Sequence, residues 1–317
     1  MKFPGLVDLQ VNGYKGVDFS SVDLTRDAFA EACSLMLEGG ATAFFPTIIT
    51  SSDEVYRRNL PLMAGVLQER GFGGRLLGLH LEGPFICDQD GPRGAHNREW
   101  VREPDIDYLK QLLDWAQGQV RLITLAAELS GAEEVTRFCR ERQIAVSLGH
   151  HLAGEDDLAR LARAGAGALT HLGNGISAQL PRHDNAIWAG MANDDLAAML
   201  ITDGHHLPGS VIKCILRAKG PGNCIVVSDA APLAGMAPGD YQTLGNEVRL
   251  EENGKLHNPR AGHLVGSSST LAQCAGHLAS LDLVTDEQLI DMVWRNPLKL
   301  IGIDPQTLPA SDLQLEL

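Results

Sequence analysis

The sequence has no Cys-x-x-Cys pair; its six cysteines, Cys33, Cys87, Cys139, Cys214, Cys224 and Cys274, are scattered. That scatter excludes a thiolate zinc cage and a small disulfide framework, and it points to reduced thiols in a cytoplasmic setting. Positive charge is scarce as well. With 26 Lys+Arg against 40 Asp+Glu the formal net charge is −14, which excludes a general nucleic-acid or anionic-membrane surface, because a phosphate backbone demands a basic footprint. An anionic small molecule would need a local basic pocket. No uninterrupted apolar run is long enough to span a bilayer, and Lys2 is followed by Pro4 and Asp8 rather than by an apolar signal core, so a soluble chain is expected. No low-complexity linker or short repeat divides the chain, and one domain covering residues 1–317 is expected.

What is present is a regular alternation. Short apolar, β-branched runs occupy 6–11, 41–49, 76–81, 120–126, 145–148, 168–170, 197–201 and 224–227, with amphipathic stretches at 26–38, 105–116, 132–142, 156–164 and 209–218 between them. Strands alternating with helices specify a parallel sheet covered by helices. Eight repeats close most economically into a (β/α)8 barrel, although a doubly wound open sheet has the same local pattern. Beyond the eighth run, Asn253-Gly254 predicts a β-hairpin insertion over 241–256 near the barrel mouth. Helices are expected at 269–279 and 286–294, with Asn296-Pro297 marking a break or a helix start.

Polar, metal-capable residues collect where the apolar runs end, which in a barrel is the catalytic rim. Gln10 and Asn12 end the first run, Glu82 follows the third, His150 and His151 the fifth, His171 the sixth, His205 and His206 the seventh, and Asp229 the eighth. Glu82, His150 and His171 make a carboxylate-plus-two-imidazole set suited to a divalent ion such as Zn²⁺, with room for a water. Such an ion acidifies that water and polarises an amide carbonyl. Asp229 can then accept the water's proton and pass it to a leaving nitrogen. Singly, each has an ordinary explanation: a strand-end histidine satisfied by hydrogen bonds, a carboxylate capping a turn or helix. Their shared position on one rim favours a site. His80 is expected out of phase with Glu82 on its strand and His151 in a loop, and both are assigned structural roles.

The motifs LGLHLEGPF (77–85), VSLGHH (146–151), THLGN (170–174), TDGHH (202–206) and VVSDA (226–230) together resemble N-acetylglucosamine-6-phosphate deacetylases of the amidohydrolase superfamily. PGLVDLQVNG (4–13), FFPTIITS (44–51), GAHNREWVREPD (94–105) and VGSSSTL (265–271) extend the resemblance over nearly the whole chain. It implies an amidohydrolase barrel in which Glu82, His150 and His171 hold the metal and Asp229 is the acid/base. It further implies that His96 contacts substrate, that His206 holds the sugar phosphate, and that Asn174 and Arg182 add phosphate contacts. The arginine would reach into a neighbouring subunit's site, which implies a homodimer. Many amidohydrolases carry His-x-His at the end of the first strand, whereas this chain has Gln10-Val11-Asn12. The resemblance is therefore to a single-metal branch, and one tightly bound divalent ion, with Zn²⁺ as the expected species, is predicted. Relatives commonly add a small accessory β domain. Here the first barrel strand opens the chain and no returning β segment is obvious before Leu317, so that domain is expected to be largely absent. Gly173 stands where relatives often have a bulky residue, and 177–188 around Arg182 diverges, so the pocket is expected to be wider or the sugar different. The implied activity is deacetylation of an amino-sugar phosphate. The alternatives are deacylation of another N-acyl amino sugar or N-acyl amino acid, and a non-catalytic sugar-phosphate-binding barrel, against which an acid/base Asp229 argues.

Overall fold

A computed structural model describes residues 3–308. Eight parallel strands pair in chain order: β1 (Val7–Val11), β2 (Ala43–Ile49), β3 (Leu79–Glu82), β4 (Val120–Leu125), β5 (Ala145–Leu148), β6 (Ala168–Leu169), β7 (Ala197–Ile201) and β8 (Cys224–Val227). Nearly every strand residue is buried, as expected of β-branched and aliphatic runs covered on both faces. β8 returns to β1 through a parallel bridge between Val11 and Ala230. Asn12 N donates to Ala230 O at 2.8 Å and Ser228 N to the Asp8 carboxylate at 3.1 Å. The sheet therefore curls round as the expected barrel and is not an open one. Helices α1 (Arg26–Glu38), α2 (Asp53–Leu67), α3 (Ile106–Trp115), α4 (Ala132–Glu141), α5 (Glu155–Ala164), α6 (Ala186–Ala192) and α7 (Gly209–Lys219) form the outer ring.

Two departures from expectation bear on the site. The third strand forms at Leu79–Glu82 rather than 76–81, so Glu82 is held by the β-ladder itself, in register with Ile49 and Thr124. The insertion after β8 has three strands, β9 (Gly239–Thr243), β10 (Asn246–Leu250) and β11 (Leu256–His257). The expected turn at Asn253-Gly254 joins β10 to β11, with Leu250 opposite Leu256. β9 enters through Leu244-Gly245, whose φ values of 49° and 72° give the two-residue turn a twisted hairpin favours. Val248, Leu250, Leu256 and Val265 bury one face of this sheet against Ala231 and Leu233 at the barrel top.

Helix α8 (Leu271–Ser280) starts at a Thr270–Gln273 capping box. The expected helix 286–294 is α9 (Asp286–Ile290), continuing through a π turn over Asp291–Arg295 into α10 (Asn296–Leu300), so Asn296-Pro297 is a helix start. Residues 309–317, where a returning β segment was not expected, lie outside the described residues. Among the described residues no helix is long and apolar enough to cross a membrane.

Candidate active site

Three strand ends bring Glu82, His150 and His171 to the centre of the barrel mouth. Glu82 Oε1 lies 3.1 Å from His150 Nε2 and 3.1 Å from His171 Nε2, and the two nitrogens are 3.1 Å apart. Ligands about 2.0–2.1 Å from a tetrahedral ion would stand about 3.3 Å from each other, so this triangle is the size of one face of such a shell. Two imidazole nitrogens rarely face each other this closely without a cation between them. His150 Nδ1 lies 2.8 Å from the Pro92 carbonyl and donates to it, which leaves Nε2 unprotonated as a ligand atom. The three side chains are buried and can hold a metal ion. Burial alone would raise the Glu82 carboxyl, but the His150 and His171 imidazoles beside it outweigh that and hold the group well below its usual range. Burial would likewise lower His171, yet the Glu82 carboxylate pulls it upward.

Asp229 faces this triangle from the end of β8. Gln10 Nε2 donates to both Asp229 Oδ1, at 2.9 Å, and Glu82 Oε1, at 2.8 Å, and Asn12 Nδ2 donates to the same Asp229 oxygen at 2.8 Å. The two amides thus fix Asp229 through one oxygen. Burial, and then the charge of Glu82, push its carboxyl up to about 6.

His96 lies above Glu82, with Nε2 3.9 Å from Oε2. Its Nδ1 accepts the Thr50 backbone N–H at 3.3 Å and lies 2.9 Å from the Thr50 hydroxyl, which assigns the ring proton to Nε2, on the side of the triangle. Burial, and then nearby His150, hold the ring neutral by lowering it to about 3. His206 turns Nδ1 to Asp203 Oδ2 at 2.8 Å. Asn174 donates from Nδ2 to the His171 carbonyl at 3.2 Å. Glu82, His150, His171, Asp229, His96, Asn174 and His206 all border one cavity of about 540 Å³, roofed by Leu244, His263 and Leu264 of the β insertion. Arg182 does not join them: it stands on the exposed stretch before α6, its carbonyl taking the Trp188 indole N–H at 3.2 Å.

The expectation that His80 is out of phase with Glu82 fails, because residues two apart on a strand share a face. The ring lies inside the barrel beneath the triangle, wedged between the Thr47 and Thr124 hydroxyls at 3.2 and 2.9 Å. Both ring nitrogens are satisfied there, and burial lowers the group to about 4. Sequence reasoning gave no role to Thr50, Asp203 or Ser267. Asp203 carried a signal, an aspartate three residues before a histidine in a strand-end loop. Thr50 and Ser267 carried none, since each acts on a residue about fifty or more positions away.

No family model matches the chain. The human N-acetylglucosamine-6-phosphate deacetylase is 33% identical over 312 residues, which are 95% of this chain and 74% of that protein. The N-acetylgalactosamine-6-phosphate deacetylase of Escherichia coli O157:H7 is 30% identical over 302 residues, covering 95% and 78%. Among solved structures, the N-acetylglucosamine-6-phosphate deacetylase of Pasteurella multocida superposes with a TM-score of 0.86 at 28% identity, over 99% of this chain and 80% of that one. The Mycobacterium smegmatis enzyme gives 0.88 at 26% identity, over 98% and 81%. Sequence likeness at this level over three quarters of full-length relatives, joined to the same barrel, means that the chain belongs to the N-acetylglucosamine-6-phosphate deacetylase family.

Proposed function

We propose that the protein hydrolyses the acetamide of N-acetylglucosamine 6-phosphate to acetate and glucosamine 6-phosphate, using one divalent ion, Zn²⁺ by preference, held by Glu82, His150 and His171. The observation that carries this reading is the 3.1 Å triangle with Asp229 clamped beside it through a single oxygen. The ion supplies polarisation of the acetyl carbonyl and a water acidic enough to attack near neutral pH. Asp229 keeps Oδ2 clear of the two amides, takes the proton of the attacking water, and returns it to the amine as the C–N bond breaks. A carboxyl raised to about 6 is matched to both transfers. His96, neutral and protonated on Nε2, donates to the carbonyl oxygen as negative charge gathers there. His206 and Asn174 border the space left for the sugar phosphate.

A single ion is favoured because the NH₂ groups of Gln10 and Asn12 point at Asp229 and Glu82, filling with donors the side where a second cation would need carboxylates and imidazoles. Elemental analysis finding two tightly held ions per active chain would refute that. Arg182 is assigned to the phosphate of a neighbouring subunit in a homodimer. In support, it is exposed and does not line its own cavity, where no Lys or Arg is found among the described residues. Scattering consistent with a monomer at assay concentration would remove this role. The free, mostly buried thiols support a cytoplasmic setting, and the bridge from Ala230 to Ser267 supports treating barrel and insertion as one domain.

The test is acetate release by metal-reconstituted protein from N-acetylglucosamine 6-phosphate, its galactosamine epimer and the unphosphorylated sugar. Preference for the first supports the proposal. The named activity of the Escherichia coli O157:H7 relative favours the epimer as second reading, and faster turnover of it would move the assignment there. Silence on all three would overturn the substrate class.

A further inference from the structure

Of the basic side chains around the cavity, five are imidazoles and none is a Lys or Arg among the described residues. His150 and His171 face the metal triangle, and His96 lies against Glu82. His206 stands apart and is held differently. Its side chain is 5% exposed and that of Asp203, which binds it, is 2% exposed. Asp203 Oδ1 accepts the backbone N–H groups of His205 and His206, both at 2.9 Å, while Oδ2 accepts the Ser267 hydroxyl at 2.7 Å and faces His206 Nδ1 at 2.8 Å. Each carboxylate oxygen therefore has two donors, an arrangement that suits the anion and excludes a proton on either oxygen. A carboxylate so committed accepts from Nδ1 and leaves Nε2, which has no hydrogen-bond partner among the described residues, toward the cavity.

We propose that Asp203 is a positioning residue that keeps the His206 proton on Nδ1, so that the ring meets the substrate's phosphate as a donor only while it carries its second proton. This rests on the amino-sugar phosphate reading above. The other titratable groups around the pair are Asp229 beyond β8, whose carboxyl His206 draws down, and, behind Asp203, the Cys274 thiol and the His277 ring of α8. Ser267 ties this device to the segment that returns from the β insertion, which places phosphate recognition and the cavity roof on one hydrogen-bonded unit.

The experiment compares wild type and Asp203→Asn, both metal-loaded, on N-acetylglucosamine 6-phosphate and on the unphosphorylated sugar across pH. In the variant the carboxamide oxygen keeps the backbone N–H groups, its NH₂ faces Nδ1, and the ring proton moves to Nε2, the tautomer exchange such a change brings about beside a catalytic histidine. For wild type, KM for the phosphorylated sugar should rise with pH by about tenfold or more, the worth of a hydrogen bond to a charged group. For the variant that slope should flatten and KM in acid should rise, with kcat little changed. The phosphate's own second ionisation, near about 6, is common to both proteins and cancels in their ratio. Equal losses on both sugars with the pH slope intact would mean a merely structural Asp203 and would overturn the proposal. ¹⁵N spectra of histidine-labelled wild type give a substrate-free readout: a proton on Nδ1 of His206 supports the inference, and one on Nε2 alone overturns it even if the variant does not fold. Wild type indifferent to phosphate would instead sink the substrate reading, leaving the spectra to decide Asp203 separately.

Discussion

Replacing Asp8 with Asn should make the protein more stable in mild base and by a much smaller margin in mild acid. Asp8 lies in β1 at the seam with β8, fully buried, its Oδ1 accepting Ser228 N at 3.1 Å and Gln10 N at 3.3 Å. Oδ2 has no hydrogen-bond partner among the described residues. Burial raises the carboxyl from 3.8 to about 7, against the lowering by the Ser228 and Gln10 bonds and with help from Asp229. At about 1.4 kcal/mol per tenfold in proton affinity, this displacement is worth about 4 kcal/mol. The folded chain holds the proton that the unfolded chain releases, so this stabilisation by protonation is complete below about pH 4 and is lost as pH rises to about 7. Asparagine keeps the Oδ1 acceptor and carries no charge at any pH. Between about pH 5 and pH 8 the stability of Asp8→Asn relative to wild type should therefore climb by about 3 kcal/mol. Equilibrium urea unfolding of both proteins, equally metal-loaded, at the two pH values measures it. A difference that stays constant with pH would refute the claim that Asp8 is buried without a charge partner.

Asp229→Asn should keep the ion and the Gln10 and Asn12 bonds while lowering kcat by about a thousandfold; near-normal turnover would refute its role. Burial raises the Asp229 carboxyl, so in wild type its base form should be lost on the acid side and kcat should decline there; a flat acid limb would argue against it. Gly175 has a φ of +59°, and a Cβ there would stand 3.0 Å from His150 Nδ1 and 3.2 Å from His171 Cε1. Gly175→Ala should therefore weaken ion retention against a chelator by about tenfold, given backbone strain of about 1–2 kcal/mol before either ring moves; unchanged retention would count against the site. Thr50→Val removes one of the two donors to His96 Nδ1 and should lower kcat several-fold with KM steady, Thr50→Ser restoring it. A KM effect alone would reassign His96 to binding.

The barrel was legible because parallel strands buried on both faces must be short, continuous apolar runs, and the rim was legible because each run ends in a polar residue. Helix α2 was not, since Pro61 and the pair Arg57-Arg58 blur its apolar stripe, although Ser52 caps its start and Val55, Tyr56, Leu60 and Met63 are buried. β9 escaped because its turn is Leu244-Gly245, with a leucine at φ 49° where asparagine is the usual signal. Glu82, His150, His171 and Asp229 could be collected from strand ends alone. Asp203 and Thr50 could not be assigned, because their parts depend on which ring nitrogen faces which oxygen, a matter of ångströms that residue order does not carry.

Backbone conformation gives a separate argument that the strand ends were built for chemistry. Among the described residues, eight that are not glycine have positive φ: Lys15, Gln117, Gln143, His150, His171, Asp229, Leu244 and Asp282. Lys15, Gln117, Gln143 and Asp282 are exposed, and Leu244 is half-buried in a hairpin turn. His150, His171 and Asp229 alone are buried, at φ values of 53°, 31° and 49°. A β-carbon in that region costs about 1–2 kcal/mol per residue, and nothing in barrel packing asks for it, since glycine would relieve it at each position. The strain is explained by direction: a left-handed residue two positions past the end of its strand turns the chain sharply and carries its side chain inward over the barrel axis, where the three meet Glu82. Three separate loops bear the same cost at the same place, which a purely structural rim would not require.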